Sequence, residues 1–284
     1  MERRIIKNTM YSSLLIFLLL LIVHAFEALC LRLDETVFAE NFINKVFGIL
    51  VIFCVLHILK WKWSDIGFSK NMFVRSVFLG FALAICTFFV AYAIEIIILK
   101  GQGHQVSIGI YTTAFSLVGD TAVNTGIGYI LMCIFFNVIN VVMEEGLFRG
   151  LFVKLVSIDH TMKTAILFQC LLFGVWHIVT PLHNLIDGDL EFVGFVGLSI
   201  GYVILAGLMG IKWSLLYRMT GDLYAGMADH FFNNCIASNL LHVSTESGID
   251  EMMIIRIIIA QILSFVFILI AFRKYSDFEG DICV

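Results

Sequence analysis

The chain has 284 residues, 60% of them hydrophobic and 14% charged, with a single proline and a net charge of −4. This balance excludes an ordinary soluble domain and a disordered segment, and points to an all-α, polytopic integral membrane bundle. No basic patch interleaved with aromatics suggests nucleic acid. The seven cysteines are scattered without a C-x-x-C pair, so neither a disulfide framework nor a zinc cage is indicated.

Apolar stretches of spanning length predict eight transmembrane helices, approximately 11–31, 42–60, 72–99, 124–155, 162–181, 191–217, 223–242 and 251–272. Met1-Glu2-Arg3-Arg4 precedes an apolar run that is too long for a signal peptide and lacks a small-residue cleavage site, so it reads as a first anchor. Between the third and fourth spans, 101–123 is only moderately apolar and is broken by Thr112, Thr113 and Ser116, which suggests an interfacial or re-entrant segment. No linker or internal repeat divides the chain. Its parts are then 1–123, the N-terminal helices with the interfacial segment; 124–242, a helical core; and 243–284, a last helix with a short tail.

With both termini cytoplasmic, Arg3, Arg4, Lys7, Lys60, Lys62, Lys70, Arg75, Lys154, Lys163, Lys212, Arg218, Arg273 and Lys274 fall inside. Arg32, Lys45, Lys100 and Arg256 fall on or near the outside. Thirteen cations against four support eight spans.

The fourth span carries the costliest residues. Glu144, Glu145 and Arg149 interrupt a run apolar enough to cross a bilayer, where each charge costs roughly 2.5–3.5 kcal/mol at the helix centre. Glu145 and Arg149 are i and i+4, so they can neutralise each other as a structural pair. Glu144 points about 100° away and needs a partner from another helix.

Depth restricts the search. Glu144 lies about 15 Å from Lys154, His177 about 21 Å from Lys163, and His230 about 12 Å from Asp222, at 1.5 Å of rise per residue. These groups can share one layer, whereas His24 and His57 sit in generic N-terminal helices and the remaining histidines lie near helix ends. A lone histidine in a membrane helix is commonly a hydrogen-bonded packing residue, and Phe173, four residues before His177, reads as core. His230 and Asn234 are i and i+4, a polar pair that interhelical hydrogen bonding alone could explain.

In order, Glu144-Glu145-x-x-x-Arg149, Phe173-x-x-x-His177 and His230-x-x-x-Asn234 lie on three separate helices. With Phe148-Arg149-Gly150 and Phe173-Gly174, this pattern resembles the CPBP family, which includes type II CAAX prenyl proteases and bacteriocin-processing membrane proteases. The resemblance covers roughly 124–241 and meets no departure at the motif positions. It implies an intramembrane endopeptidase whose site opens toward the cytosol. Glu144 and His177 would activate water, and His230 and Asn234 would stabilise the oxyanion. A metal is implied by some descriptions of the family and denied by others.

The residues make chemical sense of that implication. Amide hydrolysis needs a base for water and donors for the developing oxyanion, which a carboxylate, two imidazoles and an amide can supply. Glu145, Arg149 and Phe173 would support them from behind. If a metal is used, Glu144, His177 and His230 form a legitimate three-ligand zinc set. The absence of H-E-x-x-H or H-x-x-x-H on one helix favours a cofactor-free, glutamate-based mechanism.

The expected partners are a membrane-associated peptide or protein and the lipid bilayer, in the cell membrane of a bacterium. The chain is not its own CAAX substrate, since Cys283 is second from its end. Two other classes stay open: a non-catalytic scaffold or bacteriocin-immunity protein, and a transporter with an intramembrane proton relay. The second lacks inverted repeats or Gly/Pro-broken helix pairs.

Overall fold

The computed structural model describes residues 8–36, 38, 40–113 and 123–282, with side chains to residue 275. Helices dominate: α1 (Thr9–Phe26, continuing through a wider turn to Leu31), α2 (Ile43–Leu59) and α3 (Phe73–Gly101) come first. Next is α4 (Ile127–Glu144), which continues through π-helical turns at Glu145–Phe152 to Val156. It is followed by α5 (Met162–Trp176), α6 (Val179–Asp187), α7 (Phe192–Thr220), α8 (Tyr224–Phe231, continuing to Ala237) and α9 (Met253–Ile282).

Six of the helical stretches are long and apolar enough to cross a membrane, and the apolar Ile43–Leu59 runs beside them. The protein is therefore an all-α polytopic membrane protein. The fifth expected span proves to be α5 and α6 together, broken at His177 and Ile178. The seventh is shorter than its sequence range, ending near Ala237.

The expected interfacial segment 101–123 contains instead a short strand, β1 (Ser107–Ile110). It pairs antiparallel with β2 (Leu241–Ser244), Ser107 opposite Ser244 and Ile110 opposite Leu241. Its remainder, 114–122, lies outside the described residues. Periodicity could not reveal four-residue strands whose partner is more than a hundred residues away.

The bundle has two distinct ends. At one, the Leu223 N–H donates to Gly67 O at 3.0 Å, Lys154 lies over the Trp61 ring and Arg218 over the Phe272 ring. Exposed Lys60, Lys62, Lys70, Arg75, Lys154, Lys163, Arg218, Arg273 and Lys274 belong to this basic end. At the other, the Glu27 carboxylate accepts from the N–H groups of Ile43 and Asn44, and Arg32 pairs with Asp187. The β1–β2 ribbon sits there too.

Between these ends, the half nearer the basic loops is filled. Phe17, Leu20, Ile52, Leu56, Leu151, Phe152 and Leu216 are all buried in one cluster. Two motif glycines permit the close crossings. A Cβ at Gly150 would stand 2.7 Å from Ile66 O, and one at Gly174 would stand 2.9 Å from Val203 O on α7.

Three cations counted from the sequence toward the sidedness of the bundle, Lys212 inside and Lys45 and Arg256 on or near the outside, are buried. The Arg256 guanidinium, fully enclosed, donates to Glu95 at 2.8 Å, to Asp250 at 3.0 Å and to Ala237 O at 3.1 Å. His242 completes this group at 2.5 Å from Asp250. Together they clamp α3, α9 and the ribbon.

Candidate active site

Glu144 closes the regular part of α4, and the chain then widens into π-helical turns across Glu145–Phe152. Insertions of this kind recur at functional sites because they re-aim side chains that an ideal helix would space at 100°. Here both carboxylates reach the same histidine. His230 Nδ1 is 2.9 Å from Glu145 Oε1, while its Nε2 is 3.5 Å from Glu144 Oε2.

Glu144 is almost wholly enclosed. Its Oε1 accepts from Lys45 Nζ and from Trp176 Nε1, each at 3.2 Å. Its Oε2 has no hydrogen-bond partner. The sequence search for its partner considered histidines alone. Lys45, on α2 and 99 residues away, reads locally as a loop cation because it stands at a helix start. His24, which the sequence places in a generic N-terminal helix, stacks its ring on Trp176 at 4.3 Å.

Glu145 and Arg149 approach to 3.4 Å. The guanidinium makes no hydrogen bond, and aromatic faces surround it instead, Phe173 at 3.9 Å and Trp213 at 4.7 Å. Phe173 thus holds Arg149 with its ring, while its carbonyl accepts from His177 Nδ1 at 2.8 Å. A carbonyl only accepts, so the neutral His177 ring carries its proton on Nδ1 and presents the Nε2 lone pair.

The Asn234 amide is oriented by a directed chain. Lys212 Nζ donates to Gln261 Oε1 at 2.6 Å, Gln261 Nε2 to Asn233 Oδ1 at 2.9 Å, and Asn233 Nδ2 to Asn234 Oδ1 at 2.8 Å. Asn234 Nδ2 then meets His230 Nε2 at 3.1 Å. An ammonium has no acceptor, so it fixes the direction of every amide after it. His230 donates from Nδ1 to Glu145 and accepts at Nε2, while Trp213 stacks on its ring at 4.0 Å. Lys212 is itself held by Asp229 at 2.5 Å, and Trp213 Nε1 donates to the same carboxylate at 2.7 Å.

Part of this set borders one cavity of about 460 Å³, while Glu145, Arg149, Lys212 and Gln261 stand behind its wall. Glu144, His177, His230 and Asn234 line it, together with Lys45, His24, Asn137 and Asn140. Its opposite wall is apolar: Leu198, Tyr202 and Leu205 from α7, and Ile254, Ile257 and Ile258 from α9. Lys45, His24 and the α9 residues fall outside 124–242, so the cavity draws on more of the chain than that core. Glu40 stands on its rim, where burial pushes the carboxyl up to about 7 against the pull of Lys45.

The possible zinc set does not converge. Among the described residues, one group of three has its ligand atoms all within 4.8 Å: Glu35, His183 and Asp187, away from the cavity. Arg32 already pairs with both acids there, so its guanidinium takes the place a cation would need. At the cavity, the Lys45 ammonium already compensates the Glu144 carboxylate. The residues at Glu144, His177 and His230 therefore do not fit a three-ligand zinc site, which needs ligand atoms about 2.0–2.2 Å from one point.

No curated protein and no solved structure matches the chain. A family model does match, over residues 126–236, and it is described as type II CAAX prenyl endopeptidase Rce1-like. The matched stretch runs from the start of α4 to the end of α8 and contains Glu144, Glu145, Arg149, Phe173, His177, His230 and Asn234. Over those residues the chain is similar to the Rce1-like family, a match consistent with a CPBP-type intramembrane protease, within an all-α membrane bundle.

Proposed function

We propose that the protein is an intramembrane endopeptidase that hydrolyses a peptide bond in a membrane-associated peptide or protein, with Glu144 as the base for water. The observation that carries this reading is the buried, unbonded Oε2 of Glu144 facing His230 across a cavity bounded by apolar helices. A carboxylate oxygen without a partner in such a place has room for a water and a free lone pair to take its proton.

Water held between Glu144 Oε2 and the His177 Nε2 lone pair attacks the scissile carbonyl carbon as its proton passes to Glu144. The carbonyl oxygen takes the electron pair of the broken π bond. The second hydrogen of Asn234 Nδ2, the first being committed to His230, meets that oxyanion. Collapse breaks the C–N bond, and Glu144 returns the proton to the leaving amine. No step requires a metal, and the poor fit of the ligand set supports this choice.

One observation also suits a non-catalytic scaffold: the Lys45–Glu144 pair would stabilise a polar core without any chemistry. Glu144→Gln separates the two. In a hydrolase it removes the base and lowers cleavage of a membrane-associated peptide about 10²–10⁴-fold, with the protein still inserted and folded. Cleavage retained by the purified variant would exclude Glu144 as the base.

A further inference from the structure

Two sequence expectations, cytoplasmic loops at the basic end and a site open to the cytosol, are incompatible in this fold. The cavity lies in the other half of the bundle. Its lining comes from the first turns of α9 at Met253 and Ile254, from the first half of α7 at Leu198 and Gly201, and from Asn239 beyond the end of α8. Beneath it, toward the basic end, the core is filled without interruption by Leu147, Phe148, Leu151 and Phe152 of α4. Access therefore comes from the end that carries the β1–β2 ribbon.

Lys and Arg in the loops decide which end faces the cytoplasm. Burial sharpens that rule here, because Lys45, Lys212 and Arg256 are enclosed by ion pairs and cannot contact lipid headgroups or the translocation machinery. Among the described residues, removing them leaves nine exposed cations at the basic end, against half-buried Arg32 and exposed Lys100 at the ribbon end.

Building on the protease reading, we infer that the catalytic cavity opens on the extracytoplasmic side of the membrane and takes a membrane-anchored peptide presented at that surface. A cytosolic prenylated protein is thereby excluded as substrate. The rim agrees with a site reached from water, since Glu40, Asn137 and Asn239 place polar groups along the way in.

The test reads sidedness without reading cleavage. Ser247→Cys in the ribbon-end loop, Lys163→Cys at the basic end and Asn239→Cys on the cavity wall are each made in the full chain. Each is treated with a charged, membrane-impermeant maleimide in intact cells and again after permeabilisation, with the wild type as background for native cysteines. Ser247→Cys and Asn239→Cys should label in intact cells, and Lys163→Cys only after permeabilisation. Labelling of Lys163→Cys alone in intact cells overturns the orientation. Labelling of Ser247→Cys without Asn239→Cys in intact cells overturns access from that side. Because the readout does not depend on turnover, an inactive protein with the expected labelling would count against the protease reading alone.

Discussion

Arg149 and Arg256 are both completely enclosed cations on membrane helices, yet their surroundings differ in kind. Arg256 spends its hydrogens on Glu95, Asp250 and a backbone carbonyl at 2.8–3.1 Å, and the group around it ties three elements together. Arg149 has the Glu145 carboxylate at 3.4 Å and aromatic faces elsewhere, and the neighbouring Glu144 carboxylate looks onto a cavity. Buried charge alone therefore does not mark chemistry in this protein. What separates the regions is that one set of charges is used up in joining helices, while the other leaves a carboxylate oxygen and an imidazole nitrogen facing open space.

The substitutions with the largest effects should fail in opposite ways. Glu144→Gln should abolish most cleavage, with a smaller loss of stability than Arg256→Met because its amide oxygen still accepts from Lys45 and Trp176. Arg256→Met leaves Glu95 and Asp250 without their shared cation, and removing one partner of a buried pair costs about 3–5 kcal/mol. It should lower the unfolding midpoint and the yield in membranes, while the protein that remains folded keeps its turnover number. A loss of turnover in folded Arg256→Met would dissolve the distinction between the two regions.

Smaller effects sharpen the active side. Asn234→Ala removes the proposed oxyanion donor and should lower kcat about 10²–10³-fold, with KM nearly unchanged. Gln261→Leu leaves Asn234 in place but cuts the chain that orients it, so a drop of about tenfold in kcat is expected, on the scale of a misplaced catalytic group. Equal damage from both would mean that Gln261 supports the fold rather than the amide's direction.

Much of this was legible in the sequence, for reasons that particular residues make plain. The helices were readable because a bilayer imposes length on apolar runs, and Glu144, His177 and His230 because polar groups stand out within them. Lys45 was not readable, since a lysine two residues into a helix looks like any headgroup anchor until α2 is packed against α4. The pairing of Arg256 and Lys212 is hidden for the same reason: a sequence gives the depth of a cation along its own helix but not the carboxylate that meets it from another. The π-helical turns at Glu145–Phe152 left no periodic trace, though they decide that both glutamates reach one imidazole.

The smallest expected effect concerns the rim of the cavity. Glu40 is pushed up to about 7 by burial, with Asp34, Glu144 and Glu27 adding to the rise and Lys45 opposing it. Its folded value thus lies above the ordinary carboxylate range, so the folded state holds this proton more tightly than the unfolded chain does. Stability from this group is fully present below about 4.5 and declines as pH rises through about 7, where the folded protein must accept a charge it shelters poorly. Glu40→Gln removes the titration and leaves every other group in place. Measured as the difference between variant and wild type, the unfolding midpoint should favour the variant by a few degrees at pH 8. That advantage should shrink as pH falls and vanish near pH 4.5. A difference independent of pH would mean that Glu40 is solvated in the membrane protein, and that water enters the cavity past it more freely than its burial implies.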